Sequence, residues 1–249
     1  MDGPIVTGSR LGLVVGSSLK HEFATADAIE QIIDTRYGPV PLVDVGDAIV
    51  LNRHYSTLDG YRPPHRLDHH RSITALCTAG CNRVLALGSV GSLRDWPVGT
   101  LVAPFDLFAP GINPTFFDDA RGHLVPGFDQ AWRDRILAVW QDATDSMIID
   151  GGVYAQTTGP RFETPAEVRM LARYADIVGM TVASETILAK EAGLAYAAVC
   201  MVDNLGNGVA DVELTVEQFR AGVDRNHEHL LADLNHVLPR LAATPRDAT

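Results

Sequence analysis

A single α/β domain over residues 1–249, built on one mixed, largely parallel sheet with flanking helices, is the fold this chain predicts. Three observations carry it. Short apolar runs ending in Gly, Ser, Asn or Arg recur along the sequence, and helical patterns separate several of them. At 249 residues and 46% apolar content, the chain can bury one large core. Sheets of this kind take ligands beyond the carboxyl ends of their strands, so polar residues at those ends are the first candidates for a site.

Strands are expected at 11–15, 48–51, 83–87, 100–104, 176–178 and 195–202. Turns close several of them: Gly16-Ser17-Ser18, Asn52-Arg53-His54 and Gly88-Ser89. Helical spacing predicts helices over 67–79, 130–142, 164–173, 184–192 and 215–232. Thr164 as N-cap with Glu167 at N3 is a capping-box start, which leaves Glu163 ahead of the helix and free to face a pocket. The segment 109–127 is rich in Gly, Pro and aromatic residues and reads as a long surface excursion. From Pro245 onward the chain is expected to fray.

The formal net charge of −11 argues against a nucleic-acid partner, which needs a basic footprint. It also means that an anionic substrate must be captured by a few focused cations. There is no run of 18 apolar residues and no basic region followed by an apolar core at the start, so neither a membrane span nor a signal peptide is expected. Cys77 and Cys81 stand at i, i+4 within an apolar pattern, and with Cys200 they read as buried small hydrophobes in a reducing cytoplasm. His65, His69 and His70 open a helix; helix-start contacts or solvent exposure account for them better than a metal site, and no metal is expected.

The most informative stretch is Gly159-Pro160-Arg161-Phe162-Glu163-Thr164-Pro165-Ala166-Glu167, followed by Val178-Gly179-Met180-Thr181. It gathers an aromatic face, a carboxylate, a thioether and a hydroxyl. Such a set suits a planar heterocycle on a sugar: Phe stacks, Glu accepts from ring N–H, Met covers a sugar face and Thr donates to an anion. Each also has a plain structural reading, Phe162 as a core aromatic and Asn204 as an Asx turn in Asn-Leu-Gly-Asn-Gly. Gly16-Ser17-Ser18, Arg53-His54, Gly88-Ser89 and Thr181 each follow a strand and suit phosphate weakly alone, more strongly if they converge.

These motifs resemble the trimeric purine nucleoside phosphorylase and methylthioadenosine phosphorylase family, over residues 11 to 235. The resemblance implies inorganic phosphate as co-substrate and no cofactor. It puts Ser17, Arg53, His54, Ser89 and Thr181 at phosphate, and Phe162, Glu163, Met180, Asn204 and Val216 at the nucleoside. Asn204 and His54 are the residues it implies for catalysis. Two departures are visible: Ser18 stands where the family's loop has a second glycine, and Gly88 where Thr or Asn is usual.

The implied activity is phosphorolysis of a purine nucleoside to free base and a pentose 1-phosphate. Glu163 with Asn204 resembles the 6-oxopurine branch, whereas Val216 near the 5′ position suits a 5′-methylthio group, a combination similar to methylthioinosine phosphorylases. A methylthioadenosine phosphorylase is the near alternative. A hydrolytic nucleosidase and a non-catalytic nucleoside-binding protein are the alternatives of other classes. The resemblance further implies a homotrimer, with the loop around Phe116 and Phe117 reaching a neighbour's sugar pocket.

Overall fold

The computed structural model describes residues 3–16, 19, 23, 28–209 and 215–243. Ser17 and the expected frayed end at 245–249 lie outside the described residues. Among the described residues eleven strands form one sheet: β1 (Arg10–Val15), β2 (Ile29–Ile33), β3 (Val40–Asp44), β4 (Ile49–Asn52), β5 (Cys81–Ser92), β6 (Leu101–Ala103), β7 (Asp106–Phe108), β8 (Ile148–Asp150), β9 (Val153–Gln156), β10 (Ile177–Gly179) and β11 (Ala195–Leu205). Among the same residues five α-helices flank it: α1 (His69–Thr78), α2 (Gln130–Ala143), α3 (Pro165–Leu171), α4 (Val182–Ala192) and α5 (Val216–Ala242). The mixed, largely parallel α/β sheet expected from the sequence is what forms.

Period-two alternation builds two cores from the same strands. Leu11, Leu13 and Val15 of β1, with Leu85 and Leu87 of β5, face Trp132, Ile136 and Trp140 of α2 and Leu230 and Leu234 of α5. Val14, Val84 and Ala86 face the opposite way, toward Ile73 and Leu76 of α1 and Val182 and Leu188 of α4. α5 continues ten residues past the expected end. Leu234, Val237, Leu238 and Leu241 keep helical spacing and are buried, and Pro239 falls close to the end of the helix.

The central strand β5 organises everything near the site. β11 runs beside it in parallel from Arg83 to Ser92. Its other edge is shared: β1 pairs in parallel with Arg83 to Ala86, and β10 pairs antiparallel with Gly91 and Ser92. Between those two partners, around Leu87 to Val90, the sheet splits. A split leaves strand carbonyls needing other partners, and the Leu87 carbonyl takes one from Arg53 Nη1 at 2.7 Å.

This pairing corrects the expectation that Gly88-Ser89 is a turn after a strand. β5 continues to Ser92 because β10 and β11 extend the ladder on both sides of it, so Ser89 lies within the strand and Asn204 within β11. The segment 109–127 is largely irregular, as expected, apart from a short 3-10 turn at Ala120–Gly122. Phe116, however, is 3% exposed and packs on Tyr37 and His70 of its own chain, with its backbone N–H on Glu191. Its ring is therefore part of its own chain's core.

Candidate active site

A cavity of about 610 Å³ opens at the split in the sheet. It is lined by every expected site residue that the structure describes: Arg53, His54, Ser89, Phe162, Glu163, Met180, Thr181, Asn204 and Val216. Gly16, preceding Ser17, lines it as well. Residues separated by 200 positions in sequence, Gly16 and Val216, thus meet at one place, because the ends of β1, β4 and β10 converge there on the last residues of β5 and β11.

Arg53 and His54 form a short 3-10 turn directly after β4. Arg53 is 3% exposed and lies flat against Gly16, where a Cβ would come within 2.7 Å of Nη1. Its Nε and Nη2 donate to Glu185 Oε1 and Oε2 at 2.8 and 2.9 Å, a bidentate pair buried on both sides. Burial, the largest single influence, lifts the Glu185 carboxyl, but the Arg53 charge, its hydrogen bonds and those of its other neighbours together outweigh it and hold the group below the ordinary range. Tyr196 donates a further hydrogen bond to Glu185 Oε2 at 2.5 Å. Described residues thereby engage three of the five Arg53 N–H groups, and the side chain lines the cavity.

His54 is joined through Nδ1 to the Arg62 carbonyl at 2.9 Å and stacked on Tyr61, with ring centroids 5.5 Å apart. Burial pushes its pKa down to about 4, so the ring is neutral near pH 7. A neutral ring must donate from Nδ1 to that carbonyl, which leaves Nε2 as an acceptor. Ser89 donates its hydroxyl hydrogen to Asp203 Oδ2. Thr181 is the N-cap of α4 by position, yet its hydroxyl caps nothing. The first N–H groups of α4 are instead taken by Tyr154 and Gln156, so Thr181 keeps its hydroxyl for the cavity.

Glu163, 9% exposed, stands just ahead of the Thr164–Glu167 capping box, as the spacing requires. Thr157 donates to its Oε1 at 2.5 Å, and Asn207 holds its backbone carbonyl at 2.8 Å. Phe162 is half-buried and lies outside the apolar cores; its ring meets Phe219 of α5 at 5.7 Å, tilted by 55°. Met180 packs its sulfur on Gly159, whose φ of +67° and lack of Cβ make that approach possible. Asn204 donates from Nδ2 to the Leu205 carbonyl at 3.0 Å, which combines the local turn contact with a place on the cavity wall. Val216, in the first turn of α5, is 48% exposed at the rim.

Gly88 also has a local explanation. It lies opposite Cys200 in β11, and a Cβ there would come within 2.9 Å of the buried Cys200 sulfur. All three cysteines are buried and unpaired, and desolvation lifts each thiol to about 12. His69 sits beside Glu185 at 3.8 Å, and His70 bonds the Thr115 carbonyl, both from the first turn of α1. Among the described residues no group of three His, Cys, Asp or Glu side chains is arranged to hold a metal. None of the helices described is long and apolar enough to cross a membrane.

Sequence reasoning missed Glu185, Asp203, Tyr61, Asn207, Phe219 and Arg220. The last four line the cavity from segments without a strand-end signature. Glu185 is a charged residue within a run of α4 that is otherwise apolar or small, and that contrast was the available signal.

Comparison with known proteins places this geometry. A protein of Archaeoglobus fulgidus named probable 6-oxopurine nucleoside phosphorylase is 37% identical over 237 residues, covering 93% of this chain and 96% of its own. A probable S-methyl-5′-thioinosine phosphorylase of Methanosarcina acetivorans is 34% identical over 198 residues, covering 79% and 76% of the two chains. The fold matches methylthioadenosine phosphorylase from Schistosoma mansoni in complex with adenine, with a TM-score of 0.80, 22% identity, and coverage of 95% and 93%. The profile of the Phosphorylase superfamily matches residues 10–238, and the chain belongs to that family.

Proposed function

We propose that this protein is a purine nucleoside phosphorylase, cleaving the N-glycosidic bond with inorganic phosphate and favouring a 6-oxopurine base. The observation that carries the reading is a single cavity lined both by Arg53, His54 and Thr181 and by Phe162, Glu163 and Asn204. The relatives named above, a 6-oxopurine nucleoside phosphorylase among them, support the same reaction class.

In this reading a phosphate oxygen bonds to the anomeric carbon as the bond to the purine nitrogen breaks, and its electron pair passes to the base. Phosphate is the nucleophile, so the protein's work is positioning and electrostatics. Arg53 and Thr181 donate to phosphate oxygens. His54, neutral and accepting at Nε2, suits an oxygen that still carries a proton. Met180 covers the sugar. Asn204 donates to the purine as it gains negative charge, and Glu163 accepts from the N–H that a 6-oxopurine presents. No cofactor enters this scheme.

Val216 at the rim gives an apolar neighbour to the 5′ position and favours a 5′-methylthio over a 5′-hydroxyl group, since an unmet hydroxyl loses its hydrogen bond. The methylthioinosine phosphorylase relatives support that second reading. A homotrimer, which the resemblance of the sequence motifs implies, in a reducing cytoplasm, which three buried free thiols support, completes the proposal. The test is base release from inosine, guanosine, adenosine, methylthioadenosine and methylthioinosine, with and without phosphate. Release indifferent to phosphate would replace phosphorolysis by hydrolysis; binding without release would replace it by a non-catalytic role.

A further inference from the structure

We propose that Asp203 is a positioning residue that aims Asn204 at the purine and sets the hydroxyl of Ser89 at the anion, tying the two ends of the cavity together. The inference rests on the phosphorolytic reading and deepens it.

The backbone register carries the first half. Val202 lies opposite Val90 and Asn204 opposite Gly91, so Asp203 is an extra residue in β11, a bulge. Without it, alternation would turn residue 204 to the other face of the sheet. Val202 is fully buried, whereas Asn204 reaches the cavity. Gly222 of α5 packs on the bulge so closely that a Cβ would overlap the Asp203 carbonyl oxygen. Asn226 of the same helix donates to Asp203 Oδ1 at 2.8 Å. The carboxylate therefore pins the bulge between the sheet and α5.

The second half is the Ser89 hydroxyl, which donates to Asp203 Oδ2 and so presents acceptor lone pairs to the cavity. Asp203 is 1% exposed, and burial raises its pKa to about 6. Among the described residues the charged group bearing on it is Arg225 of α5; Ser89 from β5 and Asn226 from α5 are neutral. When Asp203 takes a proton it can donate to Ser89, which frees the serine hydrogen for phosphate.

The experiment compares wild type with Asp203→Ala, Asp203→Asn and Asn226→Ala. It reads steady-state phosphorolysis from pH 5 to 7 and calorimetric titration with hypoxanthine and with inorganic phosphate. Asp203→Ala should lower kcat by about 100-fold, the scale of an ångström of misplacement, and weaken hypoxanthine by at least about 10-fold. Asp203→Asn keeps an acceptor for Asn226 and gives Ser89 a donor, so it should recover most of kcat. Both proteins see the same phosphate ionisation, so the wild-type to Asp203→Asn ratio of phosphate KM isolates Asp203; it should fall as pH drops through about 6. Should Asp203→Ala not fold, Asn226→Ala, which removes the hydrogen bonds of α5 to Asp203 and the Val202 carbonyl but leaves the Ser89 tie, should still lower kcat. A folded Asp203→Ala with wild-type kcat and hypoxanthine affinity would overturn the proposal, as would a flat KM ratio. If wild type itself shows no phosphate-dependent turnover, phosphorolysis fails, and the hypoxanthine titrations alone then decide the role of Asp203.

Discussion

Glu185 grips Arg53 by two parallel hydrogen bonds of 2.8 and 2.9 Å, with both side chains almost wholly out of solvent. Arg53 of this pair lines the cavity. The pairing fixes the guanidinium plane before any ligand arrives. It also neutralises a cation that the split in the sheet would otherwise bury alone.

Removing one partner therefore leaves an uncompensated buried charge. Glu185→Ala should cost about 3–5 kcal/mol, lowering the midpoint of thermal unfolding by on the order of 10 °C for a chain of this size. Scanning calorimetry on both proteins tests it. A shift of a degree or two would mean the pair is not held as described.

Asn204→Ala should lower kcat by roughly 100- to 1,000-fold, the usual loss when one donor to a developing negative charge is removed. The side chain is half-buried and its hydrogen bond to the Leu205 carbonyl is local, so the unfolding midpoint should stay nearly unchanged. Unaltered turnover would take Asn204 out of the reaction.

Glu163→Ser removes the acceptor expected to read the base. The inosine-to-adenosine ratio of kcat/KM should collapse by about 100-fold or more, since an unmet buried hydrogen-bonding group is what gives such discrimination. A ratio that stays constant would move base selection elsewhere, with Asn207 beside it the first place to look.

Gly88→Thr forces a side chain against the Cys200 sulfur, at 2.9 Å for the Cβ alone. Overpacking of this kind costs about 1–3 kcal/mol. Adding Cys200→Ala should return much of that loss, because the clash has one main partner. Chemical denaturation of the two single variants and the double variant measures the coupling; simple additivity would deny the contact.

His54 supplies a pH signature. Its folded pKa, about 4, lies below the ordinary 6.5, so the fold disfavours the charged ring. The stability this gives is complete above pH 6.5 and is lost as pH falls toward 4, up to roughly 3 kcal/mol. Against His54→Gln, the wild-type advantage in denaturant titrations should hold steady from pH 8 to 7 and shrink below 6.5. A difference that ignores pH would show that the ring is not buried neutral.

The sequence by itself determined the sheet class and the capped start of α3, and its resemblance to a known family nominated most of the candidate residues. The first two depend on local spacing: alternation in strands, and Thr164 three residues before Glu167. It understated β5 and β11, because their last residues are polar or small and become strand only by pairing with β10 and with each other. The short strands β8 and β9 passed unnoticed for the same reason; three or four residues carry too little pattern to stand out from a loop. Tertiary structure alone decided which donors and acceptors are already engaged. Arg53 is half-committed to a glutamate 132 positions away, Ser89 gives its hydrogen to a carboxylate 114 positions away, and the bulge at Asp203 chooses the face on which Asn204 emerges. A hydrogen bond between distant segments leaves no periodic trace along the chain, so it becomes legible only once the backbone brings its two ends together.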